Sequence, residues 1–498
     1  APWAVQEFIP QEDSFMPIRK IYLVQPGRDG RFLGRGTMAP YTLMRLASLV
    51  PDAVEVQIID EDLQPLPFDE LGPQDLVGIT AKTLQIDRAR WIATRAQARG
   101  AKVIIGGAHA TLAPDEVAAW ADCVAVGEAY RTWPQMIADF DRGQLQSSYV
   151  DTEWANLDFL PPLADRVLRQ VDEKRRYWTP YLEITRGCPR SCTFCTAIRV
   201  SGAVMRLRPV EQVVEEIERR GIKRFFLTDD NFGLNFRLHP EYMEQLFKAL
   251  ARLPLHGWTC QAELLVGDYP DLLKLARQAH LDKFFIGFES ANPNNRRELG
   301  GKAKGNVERY REVIQRVHDA GIGVVGLFVF GFDGDTPQIF QSTYDFMRSS
   351  DLDSFSITVL TPYVGTPQRA KWIEENRLLP GVPWSLYDTN HVTYYPAQMT
   401  HQQLAQGYDW LSRKLYGWNG IASRGLRQLM RHPLRDWPRK AFASFSTDFG
   451  YRLECNHREW VPASDGIGHR MRNSIQRGFP SQGGGEMTTS EARDAATG

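Results

Sequence analysis

The sequence lacks the features of membrane-spanning, secreted and nucleic-acid-binding proteins. No apolar run reaches the ~18 residues that a transmembrane helix needs, and the start shows no signal-peptide pattern, so we expect no export. Only six cysteines occur in 498 residues, far fewer than a disulfide scaffold uses. The 59 basic and 60 acidic residues leave a net charge of -1, which disfavours a partner that is a nucleic acid. We therefore expect a cytoplasmic protein that reserves any unusual thiols for chemistry.

Length and composition indicate several globular domains. Domains cluster near ~100–200 residues, which predicts two or three here. The hydrophobic fraction of 43% and the charged fraction of 24% are ordinary for globular proteins. Residues 1–17 carry little pattern and are predicted to form an N-terminal arm. Residues 476–498 contain three consecutive glycines and many Ser, Thr and Ala residues, which predicts a disordered tail.

Residues 18–150 alternate short apolar runs with stretches of helical spacing. The runs are rich in β-forming residues and end at Gly, Asp or Pro. The predicted strands are Ile21–Val24, Val54–Ile59, Leu76–Thr80, Val103–Ile105 and Val124–Val126. Strand followed by helix, five times over, predicts an α/β fold with a doubly wound, Rossmann-like parallel sheet. Ligands of such sheets bind at the carboxyl ends of the strands.

A second βα series occupies residues 179–370, after a predicted linker at 151–178 that contains Leu160-Pro161-Pro162-Leu163. Its predicted strands are Tyr181–Thr185, Arg224–Thr228, Trp258–Ala262, Phe284–Gly287, Val324–Gly331 and Ser356–Leu360. The helices between them are predicted at Val210–Arg219, Glu241–Arg252, Leu272–Gln278, Val307–Ala320 and Ile339–Arg348. Six consecutive βα units predict a partial (β/α)6 barrel with its active site at the carboxyl ends of the strands.

Residues 371–475 are predicted to form a mainly helical C-terminal domain. Helical spacing covers Gln402–Tyr416 and Ile421–Met430. Such a domain would close the barrel mouth against water. Two interpretations of its arginine-rich stretch at 424–440 stay open: peripheral contact with a membrane or an acidic substrate, and a solvated basic helix packed on the core.

The strongest chemical signal is a cysteine cluster directly after the first strand of the second series. It reads Arg186-Gly187-Cys188-Pro189-Arg190-Ser191-Cys192-Thr193-Phe194-Cys195. Soft thiolates select zinc or iron–sulfur clusters, but structural zinc wants four ligands and no fourth is evident. A cubane cluster normally takes four thiolates, so three would leave one iron open. An incomplete zinc knuckle, or coincidence, is the alternative interpretation.

This spacing of Cys188, Cys192 and Cys195, with Phe194 before the last cysteine, resembles the radical S-adenosylmethionine (SAM) superfamily. The resemblance implies a 4Fe-4S cluster on the three cysteines, whose open iron chelates SAM. It also implies reductive cleavage of SAM to a 5'-deoxyadenosyl radical that abstracts hydrogen. An external reductant of the flavodoxin or ferredoxin type would then be a partner.

The same resemblance implies further SAM contacts at motifs that recur in the family's order. Thr228-Asp229-Asp230-Asn231 stands where the family has a Gly-Gly-Glu-like turn, and Gly287-Phe288-Glu289-Ser290 looks like its Gly-x-Glu-Ser turn. Residues 360–367, after the sixth predicted strand, are similar to the family's last motif, and the alternative interpretation is an ordinary turn. A helix cap is the alternative for Glu289. The implied SAM contacts are Phe194, Asp230, Gln261, Glu263 and Glu289.

The front domain resembles the cobalamin-binding domain that is fused to many radical SAM enzymes. The resemblance rests on 103–114, which includes Gly106-Gly107-Ala108-His109, and on Val126-Gly127-Glu128. It implies cobalamin contacts at Thr80, Thr83, Gly106, Gly107 and Gly127, with ordinary turn chemistry as the alternative. The loop after the first strand lacks the Asp-x-His-x-x-Gly signature, so we expect no histidine below the cobalt. His109 is expected to be a polar loop residue rather than a metal ligand.

Together these resemblances imply a cobalamin-dependent radical SAM enzyme. The predicted reaction moves a methyl group from methylcobalamin to an unactivated carbon of a small-molecule, lipid or tetrapyrrole-like substrate. The alternatives are oxidation, cyclisation or rearrangement without methyl transfer, a non-catalytic cofactor-binding module, and a tRNA-modifying enzyme, which the near-zero net charge disfavours. No general base is predicted, because the cofactors carry the chemistry. The substrate and the oligomeric state are left open.

Overall fold

The computed structural model describes residues 17–27, 36–151, 153–160, 162–299 and 306–431, together with two short paired strands further on. The predicted arm at 1–17 lies outside the described residues except for Pro17, and the predicted tail at 476–498 lies wholly outside them. Within the described ranges the predicted α/β architecture is confirmed. The exact domain boundaries stay predictions.

The described residues of the front half form eight strands. They are β1 (Lys20–Gln25), β2 (Gly36–Met38), β3 (Glu55–Asp60), β4 (Asp75–Thr80), β5 (Lys102–Gly106), β6 (Cys123–Val126), β7 (Ser148–Val150) and β8 (Tyr177–Thr179). Its helices are α1 (Tyr41–Ser48), α2 (Ile86–Gln97), α3 (Ala108–Leu112), α4 (Pro114–Ala118), α5 (Thr132–Asp141), α6 (Asp165–Val171) and α7 (Glu173–Arg176). All five strands that the sequence predicts are present.

The front sheet is parallel throughout, in the order β3-β1-β4-β5-β6-β7. The chain places β3 on one side of β1 and β4 on the other, so the strand order reverses between β1 and β4. Ligands of doubly wound sheets bind at such a switch point. The sixth strand, β7, was not predicted, because three residues on a sheet edge are too short to show an alternating pattern.

The segment predicted to be a linker is built into the front domain. Helix α6 places Val167 and Val171 in the apolar cluster that covers one face of the sheet, against Leu43 and Ala47 of α1. The sequence did not predict this packing, because the two prolines within 160–163 are typical of a turn or a connecting segment.

The part of the barrel segment that the structure describes, from 180 to 374, forms eight further strands. They are β9 (Tyr181–Leu182), β10 (Thr185–Arg186), β11 (Arg206–Leu207), β12 (Arg224–Leu227), β13 (Gly257–Ala262), β14 (Leu281–Glu289), β15 (Gly323–Phe330) and β16 (Ser354–Val359). Its helices are α8 (Ala197–Val200), α9 (Val210–Arg220), α10 (Asn235–Leu238), α11 (Pro240–Leu250), α12 (Pro270–Gln278), α13 (Val307–Asp319), α14 (Ile339–Ser349) and α15 (Pro367–Glu374). Short 3-10 helices lie at Phe68–Glu70, Thr83–Gln85, Leu157–Phe159, Phe232–Leu234, Leu264–Asp268, Pro293–Arg297 and Trp384–Leu386.

Six of these strands form the predicted parallel partial barrel, in the order β16-β15-β14-β13-β12-β9. Burial alternates along β14, where Phe284, Ile286 and Phe288 are fully buried under the helices while Phe285 is half-buried. Because side chains of a strand point to opposite faces in turn, the half-buried set faces the inside of the barrel. The barrel therefore keeps one accessible inner face and one packed outer face.

Two long helices follow the barrel, α16 (His401–Tyr416) and α17 (Trp418–Arg431). Tyr408 and Tyr416 of α16 donate hydrogen bonds to the carbonyls of Ile357 (3.2 Å) and Phe355 (3.1 Å), which fixes α16 to β16. Further on, β17 (Glu459–Pro462) and β18 (His469–Arg472) pair antiparallel. Among the described residues no helix has the length and apolarity that crossing a bilayer requires.

A buried charge network joins the front domain to the barrel. The Glu216 carboxylate on α9 pairs with Arg45 of α1, with Arg208 (2.8 Å) and with Arg220 (2.7 Å). Arg220 also pairs with Glu173 at 2.6 Å. Each of these side chains is at least nine-tenths buried, so their charges are compensated by one another rather than by water. The network therefore couples the packing of the two domains.

Candidate functional site

The three cysteines of the cluster lie on one loop between β10 and α8. The Cys188 amide donates to the Gly202 carbonyl (3.0 Å), and the Cys195 amide donates to the Cys192 carbonyl (3.2 Å). The amide of Ala197, at the start of α8, donates to the Cys195 sulfur at 3.5 Å. Cys188 is buried, whereas Cys192 and Cys195 are partly exposed. The loop thus presents three sulfurs at the barrel mouth.

The environment of the thiols fits a cationic cluster. Burial raises the pKa of Cys188, and burial together with the neighbouring thiols raises the pKa of Cys195 to about 11. Arg190 lies close enough to Cys188 and Cys192 that the two thiolates raise its own pKa, after the larger effect of Glu263. Thiolates that burial disfavours need compensating positive charge, which bound iron supplies. The donor set of three soft sulfurs therefore fits an iron–sulfur cluster.

Within the described residues no three His, Cys, Asp or Glu side chains converge closely enough to hold a single metal ion. In a cubane cluster each cysteine binds a different iron atom, so the three sulfurs need not converge on one point as the ligands of a single ion do.

Glu263, directly after β13, contacts the cysteine loop, and its predicted contact with SAM stays a prediction. The Arg190 Nε donates to Glu263 at 2.9 Å, and the amide of the Asn231 side chain donates to it at 3.3 Å. Asn231 also interacts with the Cys188 sulfur. Asn231 was quoted in its motif but not predicted as a site residue, since an asparagine after a strand is typical of any turn.

The two aspartates after β12 hold the backbone that leads into the cysteine loop. Asp230 accepts a hydrogen bond from the Gly187 amide at 3.2 Å. Burial raises the pKa of Asp230, although the hydrogen bonds from Ser201 and Gly187 act to lower it. Asp229 accepts from the amides of Ile184 (3.0 Å) and Thr185 (2.7 Å), and burial raises its pKa to about 7. The predicted SAM contact at Asp230 stays a prediction beside this observed structural role.

The remaining predicted SAM residues lie on β13, on the cysteine loop and at the end of β14. Gln261 is exposed on the inner face of β13, and Phe194 packs edge-on against Phe332 with ring centroids 5.6 Å apart. We expected Glu289 to lie in a turn after the fourth barrel strand, but the structure places it in the strand itself. It is the last residue of β14, at a register shift, with a φ of 65°. Such strain in a non-glycine residue collects at functional sites.

The strained end of β14 is held by a buried tyrosine. The Tyr310 hydroxyl lies 2.9 Å from the Phe288 carbonyl and 2.8 Å from the Ser290 carbonyl. Tyr310 lies on α13, which follows β14 in the chain, so sequence reasoning had no signal for this contact.

The predicted cobalamin-binding residues cluster at the carboxyl ends of β4, β5 and β6. Gly107 has a φ of 91°, and a Cβ there would lie 2.7 Å from the Thr80 hydroxyl and 2.8 Å from the Ala81 amide. Gly127 has a φ of 96°, and a Cβ would lie 2.7 Å from the Asp151 carbonyl. Close backbone approach therefore explains both glycines, and Gly106 at the end of β5 accepts from the Ala81 amide at 3.0 Å. The cobalamin contacts stay predictions.

His109 is fully buried on α3, in polar contact with side chains, and not in a loop as expected. Its Nδ1 lies 3.3 Å from the Thr83 hydroxyl, and its Nε2 lies 3.5 Å from Glu116. Burial lowers the pKa of His109, although the nearby Glu116 carboxylate acts to raise it. The ring packs edge-on against Trp384 at 5.1 Å, and the Trp384 indole donates to Glu116 at 2.7 Å. The 384–386 turn is thereby docked on the front domain.

We expect the substitution Gly107→Ala to destabilise the protein by at least about 2 kcal/mol, because alanine adds backbone strain and meets Thr80 and Ala81. The measurement is the midpoint of urea unfolding. Gly72→Ala is the matched control, since a Cβ there has no neighbour within 4 Å, and it should change stability by less than about 0.5 kcal/mol. Equal midpoints for the two variants would contradict the prediction.

Glu128, which follows β6, ties the front domain to the cysteine loop. It pairs with Arg206 at 2.6 Å and with Arg186 at 3.3 Å. Arg186 stands two residues before Cys188, pairs with Glu183 (2.6 Å) and donates a hydrogen bond to the Tyr130 hydroxyl at 2.8 Å. Glu128 and Arg186 were not predicted as site residues, because only the folded chain brings them together.

Comparison with known proteins identifies the chain. The model of the radical SAM superfamily matches residues 182–347, which include the cysteine loop and four of the six barrel strands in full. Bacteriochlorophyllide d C-12(1)-methyltransferase of Chlorobaculum tepidum is 30% identical over 415 residues, which cover 82% of this chain and 89% of that protein. The chain belongs to the radical SAM superfamily.

Other relatives of this radical SAM enzyme are methyltransferases as well. Bacteriochlorophyllide d C-8(2)-methyltransferase of Chlorobaculum tepidum is 26% identical, with 76% of this chain and 86% of that protein covered. The hopanoid C-2 methylase of Rhodopseudomonas palustris is 25% identical, with 74% and 69% covered. The prediction of an enzyme in a methyltransferase group is confirmed.

Solved structures show the same fold. The radical SAM methyltransferase TsrM of Kitasatospora setae, with cobalamin and a [4Fe-4S] cluster bound, aligns with a TM-score of 0.59 at 18% identity over 88% of this chain and 99% of that one. The cobalamin-dependent SAM radical enzyme OxsB, with aqua-cobalamin and SAM bound, aligns with a TM-score of 0.62 at 14% identity over 88% and 72%. These likenesses show that this radical SAM enzyme shares the fold of both proteins.

Proposed function

We propose that the protein methylates an unactivated carbon of a bacteriochlorophyllide-type tetrapyrrole. The observation that carries the substrate class is the 30% identity to a bacteriochlorophyllide d methyltransferase over 89% of that protein's length. A second relative that acts on the same compound supports it.

The inner face of the barrel supports a large, flat, apolar substrate. Phe226 and Phe285 pack edge to face there with ring centroids 5.4 Å apart, and Tyr181 adjoins Phe226 at 6.1 Å. Leu327 and Val329 continue the apolar lining on β15. Aromatic rings offer flat stacking surfaces to a conjugated macrocycle. The same rings exclude water from a site in which a reactive carbon must not meet solvent.

Named residues would hold the cofactors. Cys188, Cys192 and Cys195 would bind the 4Fe-4S cluster, and the carboxyl ends of β4 to β6 would receive cobalamin. With SAM, these groups supply the radical and the methyl group. The chain's own part is to fix the cysteine loop through Asp230 and to exclude water. The required electron would come from a flavodoxin-type or ferredoxin-type partner.

The test uses protein purified without oxygen and supplied with iron, sulfide and hydroxocobalamin. With bacteriochlorophyllide d, labelled SAM and a reductant, we expect the label in the macrocycle and equal amounts of S-adenosylhomocysteine and 5'-deoxyadenosine. Formation of 5'-deoxyadenosine without S-adenosylhomocysteine would instead support the alternative of oxidation or cyclisation. A hopanoid lipid is the comparison substrate, and its methylation in place of the tetrapyrrole would reject the substrate class.

A further inference from the structure

We propose that Tyr310 is a positioning residue, which holds Glu289 in a strained backbone conformation that presents its carboxylate to SAM. Glu289 is the last residue of β14, and Tyr310 lies on α13, the helix that leads to the next barrel strand. This inference rests on the proposed function in one respect, since it takes SAM as the molecule that Glu289 contacts.

The backbone of Glu289 adopts a conformation that its side chain disfavours. Its φ is 65°, which lies in the left-handed region that residues with a Cβ rarely occupy. The register between β14 and β15 also shifts between Gly287 and Glu289, and an irregularity of this kind re-aims a side chain. A strained residue keeps such a conformation only where the surrounding structure imposes it.

The Tyr310 hydroxyl supplies that constraint. It lies 2.9 Å from the Phe288 carbonyl and 2.8 Å from the Ser290 carbonyl, so it bridges the residues on either side of Glu289. The Tyr310 side chain is fully buried, and its ring packs edge-on against Phe288 with centroids 4.8 Å apart. Since a phenol has a single proton to donate, the two carbonyls share it. Rotation of Glu289 about its backbone bonds would move one of these carbonyls away from the hydroxyl.

The chain directly after Glu289 is fixed as well. The Ser290 hydroxyl accepts hydrogen bonds from the Asn292 amide at 3.1 Å and from the Asn295 side chain at 2.9 Å. Asn295 also donates to Asp335 at 2.7 Å, and these three side chains, of Ser290, Asn295 and Asp335, are buried. The end of β14 is therefore ordered before a ligand arrives, which reduces the entropy that binding costs.

The position of Glu289 fits a contact with SAM. Strand β14 pairs in parallel with β13, so both strands end at the same edge of the barrel. Glu263, directly after β13, accepts a hydrogen bond from Arg190 of the cysteine loop at 2.9 Å, which places the proposed cluster ligands at that edge. A carboxylate is complementary to SAM, because SAM carries positive charge and hydroxyl donors.

The experiment measures the binding of labelled SAM by equilibrium dialysis. It uses the full-length protein with an oxidised cluster and matched iron content. Tyr310→Phe removes the hydroxyl and keeps the ring, and we expect the Kd for SAM to rise at least ~10-fold. Tyr416→Phe is the matched control, because it removes a buried hydroxyl that donates to the carbonyl of Phe355 at 3.1 Å. Phe355 lies on β16, two strands away from β14, so this variant should change the Kd less than ~2-fold.

A double-mutant cycle tests whether Tyr310 acts through Glu289. Glu289→Ala should weaken SAM binding by itself, because it removes the carboxylate. Adding Tyr310→Phe to it should change the Kd less than ~2-fold further, since the group that Tyr310 positions is already absent. Ser290→Ala loosens the same strand end from its other side and is measured with and without Glu289→Ala, so the result does not depend on the folding of one variant.

Two outcomes would overturn the role of Tyr310. One is an unchanged Kd for SAM in both Tyr310→Phe and Ser290→Ala. The other is an equal loss of SAM binding with and without the Glu289 carboxylate, which would show a general loosening of the barrel. Because SAM binding is measured without a substrate for methylation, failure of methyl transfer to a tetrapyrrole would leave the result interpretable. The two proposals can thus fail separately.

Discussion

Cys192→Ala is expected to leave the protein without its iron–sulfur cluster and without measurable SAM cleavage. Cys192 is the middle cysteine of the loop, and its neighbours Cys188 and Cys195 lie in the same short segment. Two thiolates cannot hold a cubane that already lacks a fourth protein ligand. The measurement is iron and sulfide per chain after reconstitution, together with 5'-deoxyadenosine formed under reduction.

Cys260→Ala is the matched control for the loop cysteine. Cys260 is fully buried on the packed face of β13, and burial raises its pKa well above that of a free thiol. We expect this variant to keep its iron and to lose only about 1 kcal/mol of stability through a small cavity. Full iron content in Cys192→Ala would contradict the assignment of the cluster to the loop.

Glu216→Gln is expected to destabilise the protein by about 3–5 kcal/mol, because it leaves buried guanidinium groups without their shared carboxylate. Arg45, Arg208 and Arg220 all pair with this one residue. Glu215→Gln, one position away on the exposed side of α9, is the control and should change stability by less than about 0.5 kcal/mol. The measurement is the urea midpoint of both variants, and similar midpoints would reject the prediction.

The same carboxylate predicts a loss of stability in acid. Burial alone would raise the pKa of Glu216, but the three arginines outweigh it and lower the pKa from 4.5 to about 2. A lowered pKa in the folded state stabilises the protein above the unfolded pKa, by about 3 kcal/mol here, and this contribution is lost as the pH falls from ~4.5 to ~2. Glu216→Gln should therefore show a weaker decline of stability over that range than the unmodified chain.

Much of the fold could be predicted because its signals are local. Burial on both faces makes strands such as Leu76–Thr80 continuous apolar runs, and these runs alternate with helical spacing. The strand β7 and the packing of α6 escaped prediction for different reasons. The three residues of β7 at the sheet edge are too few to show a periodic pattern. The two prolines before α6 are typical of a linker.

The candidate cluster site could also be predicted, since the three cysteines that we propose as its ligands are neighbours in the chain. The surrounding supports were not, because they come from distant segments. Glu128 and Arg186 are 58 positions apart in the sequence and meet only when β6 and β10 converge at the barrel mouth. Neither residue has a local pattern that distinguishes it from a surface charge.

The sequence by itself determined the three-cysteine motif, the order of strands and helices, and the two-sheet architecture, because each depends on residues close together in the chain. Only the tertiary structure decided which side chains support the cluster, why Gly107 must be glycine, and how Glu216 joins the two domains. The physical reason is that buried charges and close backbone contacts are set by where distant segments meet. Spacing along the chain does not specify those meetings.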